Sequence, residues 1–292
     1  MFHRFPDTDP PGLIDLTYFP PPEELRPYFG SAYLFTADRP VVADVTRADF
    51  AQLRFMLSGV GDYHFVTGTK SSTPECCILG ATLGATRFEV DGPLQVVGVS
   101  ILPLGWVALG LENAGDLADG VADMADRLSP ESSTLLAAFR EMTDPNEAMT
   151  PLWTFLAGLL KPVSRSSIAF VAKCDAWLTD EPSPRVEALV EATGLSARQV
   201  ERLAKRHYGA PPKYLARKFR ALRCAAELAL DHQDWTEMVG GAFYDQSHFI
   251  REIKHFIGLT PHQLKTDPTI VAQLTLQRRA MVGYVAEINR IS

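Results

Sequence analysis

The sequence predicts a mixed α+β chain, with an N-terminal β-rich barrel followed by helices and then an all-α region of two helix-turn-helix units joined by one long helix. Three observations predict it. From about Ser31 to Leu111 apolar and other residues alternate with period two, the mark of strands. From about Ala114 the apolar spacing turns helical. Between Val186 and Leu264 one pattern is written twice without a gap, 49 positions apart: Val190, Val200, Arg202, Lys205, Gly209, Pro212 and Leu215 recur as Val239, Phe249, Arg251, Lys254, Gly258, Pro261 and Leu264. At 292 residues and 46% apolar composition, the chain is long enough for two cores.

Residues 1–30 are rich in proline and read as an extended arm. In the β region Leu53, Phe55 and Leu57 alternate with Arg54 and Met56, and Tyr63 and Phe65 flank His64 in the same way. Turns are expected at Gly59-Val60-Gly61, Gly68-Thr69-Lys70 and Asp91-Gly92-Pro93, the last between Phe88/Val90 and the apolar run Leu94–Leu102. A small barrel built this way is a natural place for a small ligand. The aromatics Phe55, Tyr63, Phe65, Phe88 and Trp106 read first as core; if a pocket exists there, they and His64 are the side chains expected to line it. His64 is the one histidine between residues 31 and 165, and a metal site of the multi-histidine kind needs several. Neither a metal nor a cofactor is expected.

Three helices follow: Leu117, Val121, Met124 and Leu128 on one stripe, then Leu135, Leu136 and Phe139, then Met149, Leu152, Phe155, Leu156 and Leu159. Lys161-Pro162-Val163-Ser164 reads as a linker. The expected division is 1–165 for the first domain, 166–267 for the second, and 268–292 for a helical tail.

In the first repeat unit Val186, Leu189 and Val190 form an apolar stripe, and Gly194-Leu195 the turn. Ser196 caps the next helix with Gln199 as its partner three residues on. Gly209 ends that helix, because a residue without Cβ tolerates φ > 0, and Pro212 opens the next. In the second unit Trp235, Met238 and Val239 repeat the stripe, Asp245 takes the cap, Phe249, Ile253 and Phe256 face inward, and Gly258 and Pro261 stop and restart the chain. From Arg198 to Arg223 nine Lys or Arg stand against the single acid Glu201, the electrostatic footprint of phosphate contact. The helix from Pro212 to about Leu230 spans roughly 28 Å at ~1.5 Å per residue. That suits two recognition helices set in major-groove faces about 34 Å apart.

Residues 166–267 resemble the DNA-binding domain of the AraC/XylS family of bacterial transcription regulators. The most specific match is Phe243-Tyr244-Asp245-Gln246-Ser247-His248-Phe249, running through Arg251, Lys254, Phe256, Gly258, Thr260 and Pro261. One departure is Ala242-Phe243 where the family usually has Gly-Phe, with Gly240-Gly241 just before. The resemblance implies sequence-specific binding of double-stranded DNA. Arg198, Gln199, Glu201, Arg202, Lys205 and Arg206 would act in the first unit, and Gln246, Ser247, Ile250, Arg251 and Lys254 in the second. Arginine forks suit guanine and glutamate accepts from cytosine, whereas Lys205, Arg206 and Lys254 fit phosphates. The resemblance further implies a cupin-like sensor barrel, a small-molecule effector, RNA polymerase as partner, and a homodimer formed through the helices after the barrel.

The net charge of −7 divides unevenly, −10 over residues 1–165 and +3 over 166–292, as expected for two functions in one chain. No apolar run is long enough to span a membrane, and Met1-Phe2-His3-Arg4 opens no secretory signal, so a cytoplasmic protein is expected. Cys76, Cys77, Cys174 and Cys224 include no Cys-x-x-Cys pair and read as reduced thiols, with redox sensing by Cys76-Cys77 as the alternative. An enzyme is not expected. The competing reading is a DNA-repair or other enzyme fused to the same DNA-binding domain, but the sequence offers neither a metal-binding cysteine cluster nor a convincing catalytic set.

Overall fold

The computed structural model describes residues 14–180, 183–230, 243, 245–276, 281, 283 and 285–291. Among the described residues of the N-terminal half there are eight antiparallel strands: β1 Ile14–Phe19, β2 Phe29–Ala37, β3 Val41–Thr46, β4 Ala51–His64, β5 Lys70–Ser72, β6 Cys76–Leu79, β7 Thr86–Ile101 and β8 Val121–Asp123. Their order is β1-β2-β7-β4-β6-β8, with β3 on β7 and β5 on β4. Among the described residues the path of the sheet runs from β1 to β8, and the sheet curves around a cavity.

Two long strands, β4 and β7, pair along almost their whole length and carry the curvature. Gly59-Val60-Gly61 is therefore not a turn. It lies inside β4, where the register against β7 shifts at Ser58 and Val60 and Gly59 takes φ +89°, the bulge that bends a strand while keeping it paired. Asp91-Gly92-Pro93 likewise sits within β7, at the point where its partner changes from β3 to β2. Gly68 does make a turn, its N–H donating to the Phe65 carbonyl at 3.0 Å. The expected N-terminal arm holds β1, which pairs along β2; residues 1–13 lie outside the described part.

Period-two alternation on β4 sorts side chains onto two buried faces. Leu53, Phe55 and Leu57 join Val97, Val99 and Ile101 of β7 against the helices α3 Glu131–Glu141 and α4 Met149–Leu159. Phe55 meets Phe139 edge-on with centroids 5.3 Å apart. Trp106, on α1 Pro103–Ala108, belongs to the same core. The helix expected through Leu117–Leu128 does not form. A 3-10 turn (Ala114–Asp116), β8 and the short α2 Met124–Arg127 stand there instead, because Asp119 at φ 51° and Gly120 interrupt the run and Val121–Asp123 pair with β6.

The C-terminal half is helical: α5 Arg165–Asp180, α6 Val186–Thr193, α7 Ala197–Tyr208, α8 Pro212–Leu230, α9 Gln246–Ile257 and α10 Pro261–Thr266. Leu189, Val200, Phe219, Phe249, Ile253 and Phe256 are fully buried in its core. The expected stripe Trp235, Met238, Val239, together with Gly240, Gly241, Ala242 and Tyr244, lies outside the described residues. Beyond residue 268 the chain turns back onto the first half. Helix α11 Ile270–Leu276 lies on β3 and β1, and α12 Glu287–Ile291 on α5 and α8. Asn289, fully buried, accepts from Ser31 N at 3.2 Å.

The two halves share one core. Phe50, just before β4, packs on Phe219 of α8 (5.8 Å between centroids), and Ala48 N donates to Phe256 O at 2.7 Å. At the centre of the seam Lys218, 3% exposed, donates to the carbonyls of Asp49 (2.7 Å) and Thr82 (3.0 Å).

Candidate nucleic-acid interface and sheet cavity

Helix α7 starts where the sequence says it should. Ser196 is extended, its Oγ accepts from Gln199 N, and Gln199 Oε1 accepts from Ser196 N at 3.0 Å, so both halves of a capping box are made. Gly209 at φ 81° closes it. Val200, Ala204, His207 and Tyr208 are buried, which turns Arg198, Glu201, Arg202, Lys205 and Arg206 together toward solvent. Glu201 and Lys205 pair at 2.8 Å one turn apart. Gln199 is exposed, but its carbonyl oxygen is engaged in the cap. Neither Arg202 nor Arg251 enters an ion pair among the described residues.

The second unit repeats the design on α9. Asp245 caps through Oδ1 accepting from His248 N at 2.7 Å, and Gly258 ends the helix at φ 87°. Gln246, Ser247, Arg251 and Lys254 are exposed and Ile250 is half-buried. Glu252, on the inward side, takes a bidentate bond from Arg217 of α8 at 2.7 and 3.0 Å. Burial works to raise the Glu252 carboxyl, but the Arg217 bonds outweigh it and hold the carboxyl below the usual glutamate range. This fork ties the second helix to the connector.

The connector also divides the nine-residue basic run. Arg198, Arg202, Lys205, Arg206 and Lys213 are exposed. The rest serve the fold rather than an open basic face: Arg217 holds Glu252, Lys218 fills the seam, Arg220 donates to Ser183 Oγ at 3.1 Å and lies 5.0 Å from the Phe243 ring, and Arg223 donates to Leu178 O. Their positions on α8 point them at the protein, which a charge count cannot see.

The concave face of the sheet encloses a cavity of about 890 Å³, its open mouth included. Leu16, Phe35, Met56, Phe88, Leu94 and Val96 form much of its apolar wall. Of the side chains expected to line a pocket, Tyr63 and Phe88 do so. Phe55 and Trp106 point to the helix-covered face, His64 is exposed, and Phe65 is buried in the same apolar cluster as the cavity wall without lining the cavity. Gln52 and Arg54, the other face of β4, line it instead. Sequence reading places such residues toward water, yet their alternation with Leu53 and Phe55 marks them as a set. Arg54 donates from Nε (3.0 Å) and Nη2 (2.8 Å) to Gln52 Oε1 and from Nη1 to Tyr63 Oη (2.7 Å); Tyr33 Oη also donates to Gln52 Oε1 at 2.8 Å. Burial raises the Tyr63 hydroxyl to about 12 against the opposing pull of Arg54.

All four cysteines are buried and unpaired in disulfides, and burial pushes Cys76 to about 11 and Cys77 to about 12. Thiols so held are poor nucleophiles, which speaks against redox sensing by this pair. Among the described residues no group of three or more His, Cys, Asp or Glu is placed to hold a metal ion, and no helix is long and apolar enough to cross a membrane.

Residues 189–267 match the family model of a helix-turn-helix domain. No curated protein matches the chain in sequence. Among solved structures it is similar to an apo ToxT variant from Vibrio cholerae (9% identity, 80% of this chain and 99% of that one, TM-score 0.45). It is also similar to unsaturated-fatty-acid-bound wild-type ToxT from the same organism (10%, 77% and 94%, 0.44). A third is the AraC-like transcriptional activator CuxR (15%, 77% and 86%, 0.33).

Proposed function

We infer, from the helix-turn-helix domain that residues 189–267 constitute, that the chain is a sequence-specific DNA-binding transcription regulator of the AraC/XylS type. The observation that carries the reading is the outer face of α7: a fully capped helix, buried on one side, presents five charged residues, four of them basic, each of them exposed among the described residues. Arg198, Glu201 and Arg202 are assigned to base edges, and Lys205 and Arg206 to phosphates. On α9 Gln246, Ser247, Ile250 and Arg251 take the base-reading places and Lys254 a phosphate. Gln199 is assigned to the helix start, where its side chain is already used. The rigid α8, tied to α9 by the Arg217–Glu252 fork, sets the distance between the two readers.

Residues 1–165 are read as the sensor and dimerisation domain, 166–267 as the DNA-binding domain, and 268–292 as a tail joining the two. The regulator works in the cytoplasm as a homodimer on double-stranded DNA, in contact with RNA polymerase, and has no catalytic role. Its effector is a small molecule held in the sheet cavity.

The test is selection from a random-sequence DNA pool by the full-length protein at two salt concentrations, with sequencing of the bound fraction. Enrichment of a motif spanning about two helical turns, weakened by salt, is expected. A bound fraction no different from the starting pool, for the full chain and for residues 166–292 alike, would overturn the reading.

A further inference from the structure

We propose that the sheet cavity is a binding site for a small monoanion with an apolar body, its charged group paired with Arg54 and its apolar part packed against the C-terminal helix α11. The proposal rests on the regulator reading only for its physiological meaning; the site itself stands on the following geometry.

Arg54 is the fourth residue of the long strand β4, flanked by the fully buried Leu53 and Phe55. It is permanently charged, and every hydrogen bond it makes goes to a neutral oxygen, of Gln52 or Tyr63. None of the ion pairs among the described residues includes it. A guanidinium held in an apolar setting without a carboxylate is a costly arrangement, unless an anion completes it. Three of its five N–H groups are engaged, which leaves two donors for a ligand. Planar paired donors suit a carboxylate best. The charged side chains on the cavity wall are Arg47, Asp49 and Arg54, a formal surplus of a single positive charge. One negative charge on the ligand balances it.

The rest of the lining is mainly apolar and aromatic, so the ligand's body is apolar too. Part of that lining comes from far along the chain. Val271, 6% exposed, and Thr275 of α11 reach the cavity from beyond the helix-turn-helix domain. The helix is fixed there by Val271 N donating to Asp44 Oδ2 on β3 at 3.0 Å. On another side Asp49 and Thr82 line the cavity, and their carbonyls hold Lys218 of the connector helix. A ligand in the cavity thus touches segments anchored to the DNA-binding domain at two places, which gives its occupancy a route to bias DNA binding.

Three probes of equal chain length separate the elements of the proposal: octanoate, 1-octanol and octylammonium, titrated calorimetrically into the full-length protein, with inorganic phosphate as a fourth. Octanoate is expected to bind roughly tenfold or more tighter than octanol, the scale of one charge-assisted contact, and octylammonium and phosphate weakly or not at all. Arg54→Met should make octanoate and octanol equivalent. Thr275→Trp, which fills the cavity from the α11 side, should abolish octanoate binding while leaving Arg54 in place, and it decides the matter if Arg54→Met does not fold. Equal affinity for octanol and octanoate in the unmodified protein, phosphate binding as tightly as octanoate, or octanoate binding unaffected by Thr275→Trp would each overturn the proposal. DNA selection with the same samples, free of probe, keeps the two readings apart. Selective DNA binding without a carboxylate preference removes the ligand class and leaves the regulator; a carboxylate preference without DNA selectivity does the reverse.

Discussion

Lys218→Met removes the cation at the seam between the two halves, and its effect should be read as a function of pH. Lys218 is 3% exposed and rests on two backbone carbonyls, with Nζ 5.9 Å from the centroid of the Phe50 ring. Burial pushes its ammonium down to about 8, against the opposing pull of Asp49 and Asp119. Its folded value lies below the unfolded one, near 10.4, so between them the unfolded chain holds more protons and stability rises with pH. Below pH 8 the charged form carries its full burial cost in the folded state. That cost is relieved by about 2 kcal/mol by pH 9.5 and by roughly 3 kcal/mol above pH 10.5. Tyrosines and cysteines also titrate in this range, and burial raises several of them, which works in the opposite direction. They are common to both proteins and cancel in the difference. Urea unfolding of the two proteins from pH 7 to 9.5 gives that difference directly. The unmodified protein should gain on the variant by about 2 kcal/mol across the range. A flat difference would mean that Lys218 is solvated in solution and that the seam is not closed around it.

Other expectations follow from the same geometry. Arg198→Ala should cost about 1–3 kcal/mol at one base pair of the selected site and relax specificity there; equal weakening on all sequences in a competition assay would reassign Arg198 to phosphate. Ser196→Ala removes one half of the capping box and should lower stability by ~1 kcal/mol, read as a fall in Tm with DNA specificity unchanged. Arg217→Met leaves the Glu252 carboxylate, whose side chain is 6% exposed, without its partner. Because Arg217 itself is 38% exposed, the expected loss is about 2 kcal/mol, below the range for fully buried pairs. Glu252 is held below its unfolded value, so its contribution is present above pH ~4.5 and is lost as the solution is acidified through the folded value. Acid unfolding curves of the variant and the parent should therefore converge as the solution is acidified, and curves that stay parallel down to the end of the acid range would refute the assignment.

Much of the helical half was legible in the sequence because its determinants are local. Ser196 with Gln199, Asp245, and the glycines at 209 and 258 fix helix ends through contacts within four residues, and Pro212–Leu230 runs as one helix as its apolar spacing indicates. The exposed set on α7 follows from the same periodicity, since 3.6 residues per turn decide which side chains face out once Val200 and Ala204 face in. Strand existence was legible too, but turns were misplaced. Gly59 and Gly92 read as chain reversals, and whether such a glycine reverses a strand or bends it depends on a partner strand distant in sequence. The same is true of the stretch 114–128, where pairing with β6 overrode a helical spacing.

Which chemistry each face of the sheet carries was settled only by tertiary packing. Alternation said that Arg54 and Met56 oppose Leu53 and Phe55, and a single exposed face was the natural reading. In the folded chain both faces are covered, one by α3 and α4, the other by the sheet's own curvature and by α11 returning from residues 270–276. Likewise four of the nine basic residues were claimed by the fold, through contacts with residues remote in sequence: Arg217 with Glu252, Lys218 with Asp49 and Thr82, Arg220 with Ser183 and Phe243, and Arg223 with Leu178. By itself the sequence determined the helices, their caps and the outward basic face, because those are short-range properties. The cavity, the Arg54 guanidinium in its wall and the seam at Lys218 arise where segments remote in sequence meet, and only the three-dimensional fold decides what meets what.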